Sequence, residues 1–132
     1  MKKIKQFIAI FGFATMVLSM ASVCYAKEIS IKDAYVDSNT YQPACVGVKD
    51  ITTATADLTI ENIYEPNGVT ANYMRIKAKI ELDGTVTIAE KGVRTTLAIP
   101  TRCQSAGSKI ALYCMGNNPA LDCRISGYLD IH

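Results

Sequence analysis

Met74-Arg75-Ile76-Lys77-Ala78-Lys79-Ile80-Glu81-Leu82 alternates apolar and polar side chains without a break. A period of two puts Met74, Ile76, Ala78, Ile80 and Leu82 on one face of an extended chain and Arg75, Lys77, Lys79 and Glu81 on the other. That pattern marks a β-strand with one face in a core and one in water. Upstream, Val69, Ala71 and Tyr73 alternate in the opposite phase, so the apolar set changes face between Tyr73 and Met74, as a β-bulge or bend would make it do. Downstream, a loop of Leu82, Asp83 and Gly84 pairs Ile80 with Val86 and Ala78 with Ile88. This register keeps the apolar faces together and gives Gly84 a position of positive φ.

Similar segments flank this one. Glu28 to Val36 reads as a strand with Ile29 and Ile31 on one face, followed by a turn-rich stretch, Asp37-Ser38-Asn39-Thr40-Tyr41-Gln42-Pro43, and a short apolar piece from Cys45 to Val48. Thr55 to Tyr64 alternates with Ala56, Leu58 and Ile60 on one side, and Glu65-Pro66-Asn67-Gly68 ends it as a turn. Val93 to Ile99, Lys109 to Cys114 and Leu121 to Ile131 complete the series, with a loop at Gln104 to Ser108 and a turn at Gly116-Asn117-Asn118-Pro119. About seven short strands with no helical periodicity predict an all-β fold, a small antiparallel β-sandwich of immunoglobulin-like type. A small Greek-key barrel is the alternative.

Residues 1–26 read as a secretory signal peptide, leaving a single domain over 27–132. Lys2, Lys3 and Lys5 form a basic start, Phe7 to Val23 is apolar, and Ala26 is a small residue before a cut at Lys27. A retained anchor is the rival, because the apolar run approaches the length of a membrane span; the small-residue exit favours cleavage and no membrane span afterwards. Without this segment the formal charge of +2 turns slightly negative, and Phe7, Phe11 and Phe13, which are all the phenylalanines, are gone. A chain without Trp or Phe must build an aliphatic core, and a slightly acidic one lacks the electrostatic footprint for nucleic acid. Export means a secreted or periplasmic protein and an oxidising compartment.

Cys45, Cys103, Cys114 and Cys123 remain, and four cysteines allow three pairings. Setting Cys114 opposite Cys123 across the turn at Gly116 also sets Leu112 opposite Ile125, so that pairing agrees with the alternation. The same face matching puts Cys103 opposite Ile110, four residues or about 13 Å of strand rise from Cys114. A bonded pair needs Cα atoms within about 7 Å. Two disulfides are therefore expected, Cys114 to Cys123 and Cys45 to Cys103, the second closing a long loop worth about 3–4 kcal/mol in the chain-entropy picture. The spacings contain no Cys-x-x-Cys knuckle and the one histidine is His132, so neither a metal site nor redox catalysis is expected.

Catalytic groups are equally scarce. His132 is the only imidazole for a nucleophile-base pair, the glycines form no phosphate loop, and the carboxylates fall on polar strand faces and turns. The expectation is a non-enzyme without cofactor, and a hydrolase using paired carboxylates is the outside possibility. Tyr41, Tyr64, Glu65, Asn67 and Tyr73, in or beside turns, are the candidate partner-binding residues, because exposed tyrosine on loops is how many binding surfaces are built. Tyr35, Tyr113 and Tyr128 read as packing positions within strands. Arg75, Lys77 and Lys79 form a basic stripe, the candidate for an anionic surface, with the wet side of an amphipathic strand as its plain reading. Together these features predict an exported β-domain that binds a protein or cell-surface partner, an accessory protein or inhibitor. The rival is a self-assembling structural or adhesive subunit, a pilus component or toxin binding subunit, in which the molecule is a homo-oligomer and Lys27 to Val36 is donated to a neighbour.

Overall fold

The computed structural model describes residues 28–69, 75–117 and 122–131. The strands are β1 (Glu28–Val36), β2 (Gln42–Val48), β3 (Thr55–Tyr64), β4 (Arg75–Ile80), β5 (Thr87–Glu90), β6 (Thr95–Ala98), β7 (Lys109–Gly116) and β8 (Cys123–Ile131), with a 3-10 turn at Thr101–Cys103 between β6 and β7. They form two four-stranded antiparallel sheets, ordered β1-β8-β3-β6 and β2-β7-β4-β5. The all-β sandwich expected from the alternation is present. No helix among the described residues is long and apolar enough to cross a membrane.

The strand order is not that of an immunoglobulin domain, where several consecutive strands pair as hairpins within one sheet. Here β4 and β5 are the one consecutive pair within a sheet among the described residues, and every other connection passes from one sheet to the other. The pairs β1/β8, β2/β7, β3/β6 and β4/β5 nest like one long hairpin folded over itself. This is the eight-stranded jelly roll, a double-sheet form of the Greek key.

That topology overturns the register expected for Cys114 and Cys123. β7 and β8 lie in opposite sheets, so the two cysteines face one another across the core instead of along a ladder. Alternation identifies which side chains point inward, but an inward face is satisfied as well by an opposing sheet as by a neighbouring strand. Cys114 is paired instead with Gln42 on β2 and Ala78 on β4.

The β4–β5 register also differs from expectation. Ile76 faces Ala89 and Ala78 faces Thr87, so Ala89 is buried while Val86 and Ile88 are exposed. The cause lies at Glu81, which takes a left-handed φ of 67°. Its backbone N–H donates to Ala111 O at 2.8 Å and its Oε2 accepts from Ala111 N at 2.8 Å, which ends β4 at Ile80, short of the Leu82 that the alternation implies. Gly84 does not supply the positive φ; it is needed because a Cβ there would lie 2.0 Å from Ile80 O.

The core is aliphatic, as the composition requires. Leu58, Ile60, Ile63, Ile76, Ile80, Leu97, Ile110, Leu112, Ile125, Leu129 and Ile131 are its largest fully buried apolar side chains. The phase slip between Tyr73 and Met74 lies outside the described residues, as do the signal segment, His132 and most of the turn after Gly116.

Candidate functional site

Two β-bulges build the most distinctive feature of the surface. β8 alternates regularly, burying Cys123, Ile125, Leu129 and Ile131 and turning Arg124 outward. β3 slips register between Ile60 and Asn62, which buries Ile63 and turns Tyr64 outward; β1 slips between Ile31 and Ala34, which buries Val36 and turns Tyr35 outward. Arg124 is the ladder partner of both tyrosines, so Tyr35, Arg124 and Tyr64 form one row across three strands on the outer face. Bulges commonly re-aim side chains in this way.

Asp33 sits in the β1 bulge with a left-handed φ of 52°. Its N–H donates to Ser126 Oγ at 3.3 Å, and its Oδ2 accepts from Arg124 Nη1 at 2.8 Å. On the other flank, Asp122 Oδ2 accepts from the Tyr35 hydroxyl at 3.0 Å and Oδ1 from Ser38 N at 2.9 Å. The Ser38 and Tyr35 hydrogen bonds hold the Asp122 carboxyl below the usual carboxylate range, and the same carboxylate pushes the Tyr35 phenol up.

The turn after β3 closes one side. Gly68 N donates to Glu65 O at 2.8 Å, Glu65 N donates to Val69 O at 2.7 Å, and Asn67 Oδ1 accepts from Val69 N at 3.0 Å. Gly68 adopts φ 92° there, with open space where a side chain would be. Asp33, Tyr64, Pro66, Asn67, Gly68 and Arg124 line a shallow cleft of about 370 Å³ that is open to solvent.

Of the residues singled out in the sequence, Tyr64 and Asn67 line this cleft and Glu65 belongs to its turn. Tyr73 lies outside the described residues. Tyr41 does not join them: its ring lies 4.0 Å from Lys79 Nζ, on the second sheet. The basic stripe is one outward face of β4, yet its members are partly engaged. Lys79 also donates to Leu82 O at 2.6 Å, Lys77 stands between Met115 and Ile88, and Arg75 faces Glu90. Sequence reasoning missed Asp33, Tyr35 and Arg124 because a bulge is needed to bring them onto one face. The signal available was the break in alternation between Ile31 and Ala34.

Two further polar clusters have evident structural roles. Asp57 and Asp130 are spanned by Arg94, and Thr96 Oγ1 donates to Asp57 Oδ1 at 2.7 Å. At the opposite end of the sandwich from the cleft, Lys49 is fully buried and donates Nζ to Thr53 O at 2.9 Å, Cys103 O at 3.2 Å and Gln104 O. Burial pushes its pKa below the usual lysine range. Three carbonyls satisfy all three ammonium donors, so this lysine ties the loop after β2 to the 3-10 turn.

All four described cysteines are free thiols. Cys45 lies opposite Leu112, diagonal to Cys114 on the β2–β7 ladder, and burial pushes its thiol up to about 12. The Cys114 thiol is raised by burial and then by the proximity of Cys45 and Cys123. Cys103 has Lys49 and Arg102 as polar neighbours, and no bond joins it to Cys45. Among the described residues, no group of three or more His, Cys, Asp or Glu is arranged to hold a metal ion.

No protein-family model, curated protein or solved structure matches the chain.

Proposed function

We propose that the protein is an exported, non-enzymatic β-domain, secreted or periplasmic, that binds a protein or cell-surface partner through the cleft at Tyr64 and Arg124. The observation that carries this reading is the row of Tyr35, Arg124 and Tyr64 beside the Asp33–Arg124 ion pair. An aromatic and charged surface held by strands and bulges, and concave on one side, is preorganised for recognition. The carboxylates that could suggest hydrolysis, Asp57 and Asp130, share Arg94 and do not line the cleft. In an oxidising compartment a disulfide would draw on Cys114, which has Cys45 and Cys123 as neighbours.

The test is affinity capture from the protein's own cell envelope with wild type and a Tyr64→Ala/Arg124→Ala variant side by side. One stoichiometric partner retained by wild type and lost by the variant is the expected result. Equal capture by both proteins would remove the cleft from the account.

A second reading, self-assembly, rests on the β4–β5 hairpin. Leu82, Val86 and Ile88 are 58%, 46% and 45% exposed there, at an edge strand of the second sheet. Exposed apolar residues beside an unpaired edge favour association with another copy. Light scattering over a concentration series decides: growth in mass with concentration favours the assembling subunit, and a constant monomer mass removes it.

A further inference from the structure

The cleft's chemistry narrows the partner, and the argument rests on the binding reading above. Among the described residues its lining holds one aromatic ring, Tyr64, one prolyl ring, Pro66, and three planar hydrogen-bonding groups: the Asn67 amide, the Asp33 carboxylate and the Arg124 guanidinium. No large aliphatic side chain among the described residues lines it, so an acyl chain or an apolar peptide anchor would find little there to bury against. Anions are opposed as well. The cation in the cleft is paired with Asp33 at 2.8 Å, so a phosphate or carboxylate drawing on its remaining N–H donors would sit beside that carboxylate and be repelled by it.

A neutral polyhydroxyl ligand meets neither obstacle. Each hydroxyl both donates and accepts, and the three planar groups offer complementary chemistry: Asp33 accepts, while Arg124 and the Asn67 amide NH₂ donate. The groups are also fixed before a ligand arrives. Asp33 is held by Ser126 and Arg124, and Asn67 Oδ1 is held by Val69 N, which leaves the amide NH₂ as the donor. Tyr64 supplies a ring face for the C–H side of a pyranose, and the missing Cβ at Gly68 keeps the approach open. A volume of about 370 Å³ lies at the low end of the range for small-ligand sites, and a cleft open to solvent suits one or two residues of a longer chain. We infer that the Tyr64–Asp33–Arg124 cleft is a saccharide site that takes a neutral glycan of a cell surface.

The test uses the purified protein on a printed array of neutral oligosaccharides of glucose, mannose, galactose and N-acetylglucosamine, with sialylated and uronate glycans alongside. The strongest responder is then titrated by calorimetry. Binding to neutral glycans should weaken at least about tenfold in Tyr64→Ala and in Arg124→Lys, and persist in Tyr64→Phe and in Tyr41→Ala, whose ring lies on the other sheet. Urea midpoints matching wild type show that the variants are folded. Silence across the array, binding only to acidic glycans, or binding indifferent to Tyr64→Ala would each overturn the proposal. If the array is silent while envelope capture still depends on Tyr64 and Arg124, the saccharide falls and the binding cleft stands. If both fail, both fall.

Discussion

Asp57 and Asp130 stand directly opposite one another on the β3–β8 ladder, and Arg94 reaches both, with Nε 2.8 Å from Asp57 and Nη2 3.2 Å from Asp130. Facing like charges destabilise a sheet, and Glu28 adds a third carboxylate opposite Asp130 on β1. The guanidinium, projecting from the turn before β6, converts this repulsion into a tie between the edge of the first sheet and its centre.

Arg94→Ala should therefore lower the urea midpoint, and only modestly because the Arg94 side chain is itself half exposed. The loss should be larger at low salt, and adding Asp130→Asn to the same chain should recover part of it. A double variant no more stable than Arg94→Ala alone would show that the carboxylates do not repel.

Gly127 separates two reasons for a glycine. A Cβ at Gly127 would lie 2.1 Å from Thr59 O on the neighbouring strand, whereas Gly68 has open space and a φ of +92°. Gly127→Ala must push β3 and β8 apart and should cost about 1–3 kcal/mol or prevent folding. Gly68→Ala meets only the backbone penalty of about 1–2 kcal/mol and should still fold. Thermal melts of the two variants compare them, and a smaller loss for Gly127→Ala than for Gly68→Ala would contradict the close approach.

Among the described residues Lys49 is the one fully buried charged side chain, and it holds the loop carbonyls of Thr53, Cys103 and Gln104. Lys49→Met keeps the length and leaves those acceptors without their donor, which should cost about 2–4 kcal/mol. Amide hydrogen exchange should show the loss as faster opening of residues 49–54 and 101–108, with β8 unaffected until global unfolding. Uniform loss of protection would mean that Lys49 supports the whole sandwich instead of one end.

Much of the fold was legible in the sequence. The bounds of β1 and β3 follow from alternation and turn residues, and the inward set of β4, Ile76, Ala78 and Ile80, was read correctly because a half-buried strand writes its environment into every second residue. Topology was not legible. Cys114 and Cys123 both point inward, and alternation does not say whether two inward residues meet along a ladder or across a core. Register failed at Glu81, where a non-glycine residue takes a left-handed backbone held by Ala111, a contact made by tertiary structure alone. The cleft was half legible: Tyr64 and Asn67 announce themselves in a turn, but Arg124 and Asp33 reach them only through two bulges and a strand distant in sequence.

Oxidation tests the thiol arrangement directly. Cys114 has Cys45 and Cys123 as near neighbours, whereas Cys103 is attended by Lys49 and Arg102. A peptide map of the oxidised protein should show Cys114 linked to Cys123, joining the two sheets, or to Cys45, and Cys103 should remain alkylatable after unfolding. A Cys45–Cys103 bond would contradict this arrangement.

The reduced protein should weaken in alkali, and the direction follows from Cys45. Its folded thiol is pushed up to about 12 by burial, against about 8.5 for a cysteine in an unfolded chain. Such a group favours folding in full below the unfolded value, and the contribution disappears as pH rises from about 8.5 towards the folded value, because the unfolded state ionises first. Cys114, raised for the same reason, acts in the same direction. Urea midpoints of the reduced protein should therefore fall as pH rises above about 8.5. A Cys45→Ala/Cys114→Ala variant, less stable at neutral pH, should fall less steeply over that interval, since it has two fewer thiols to ionise on unfolding. Parallel pH profiles for the two proteins would show that these thiols are not held protonated by the fold.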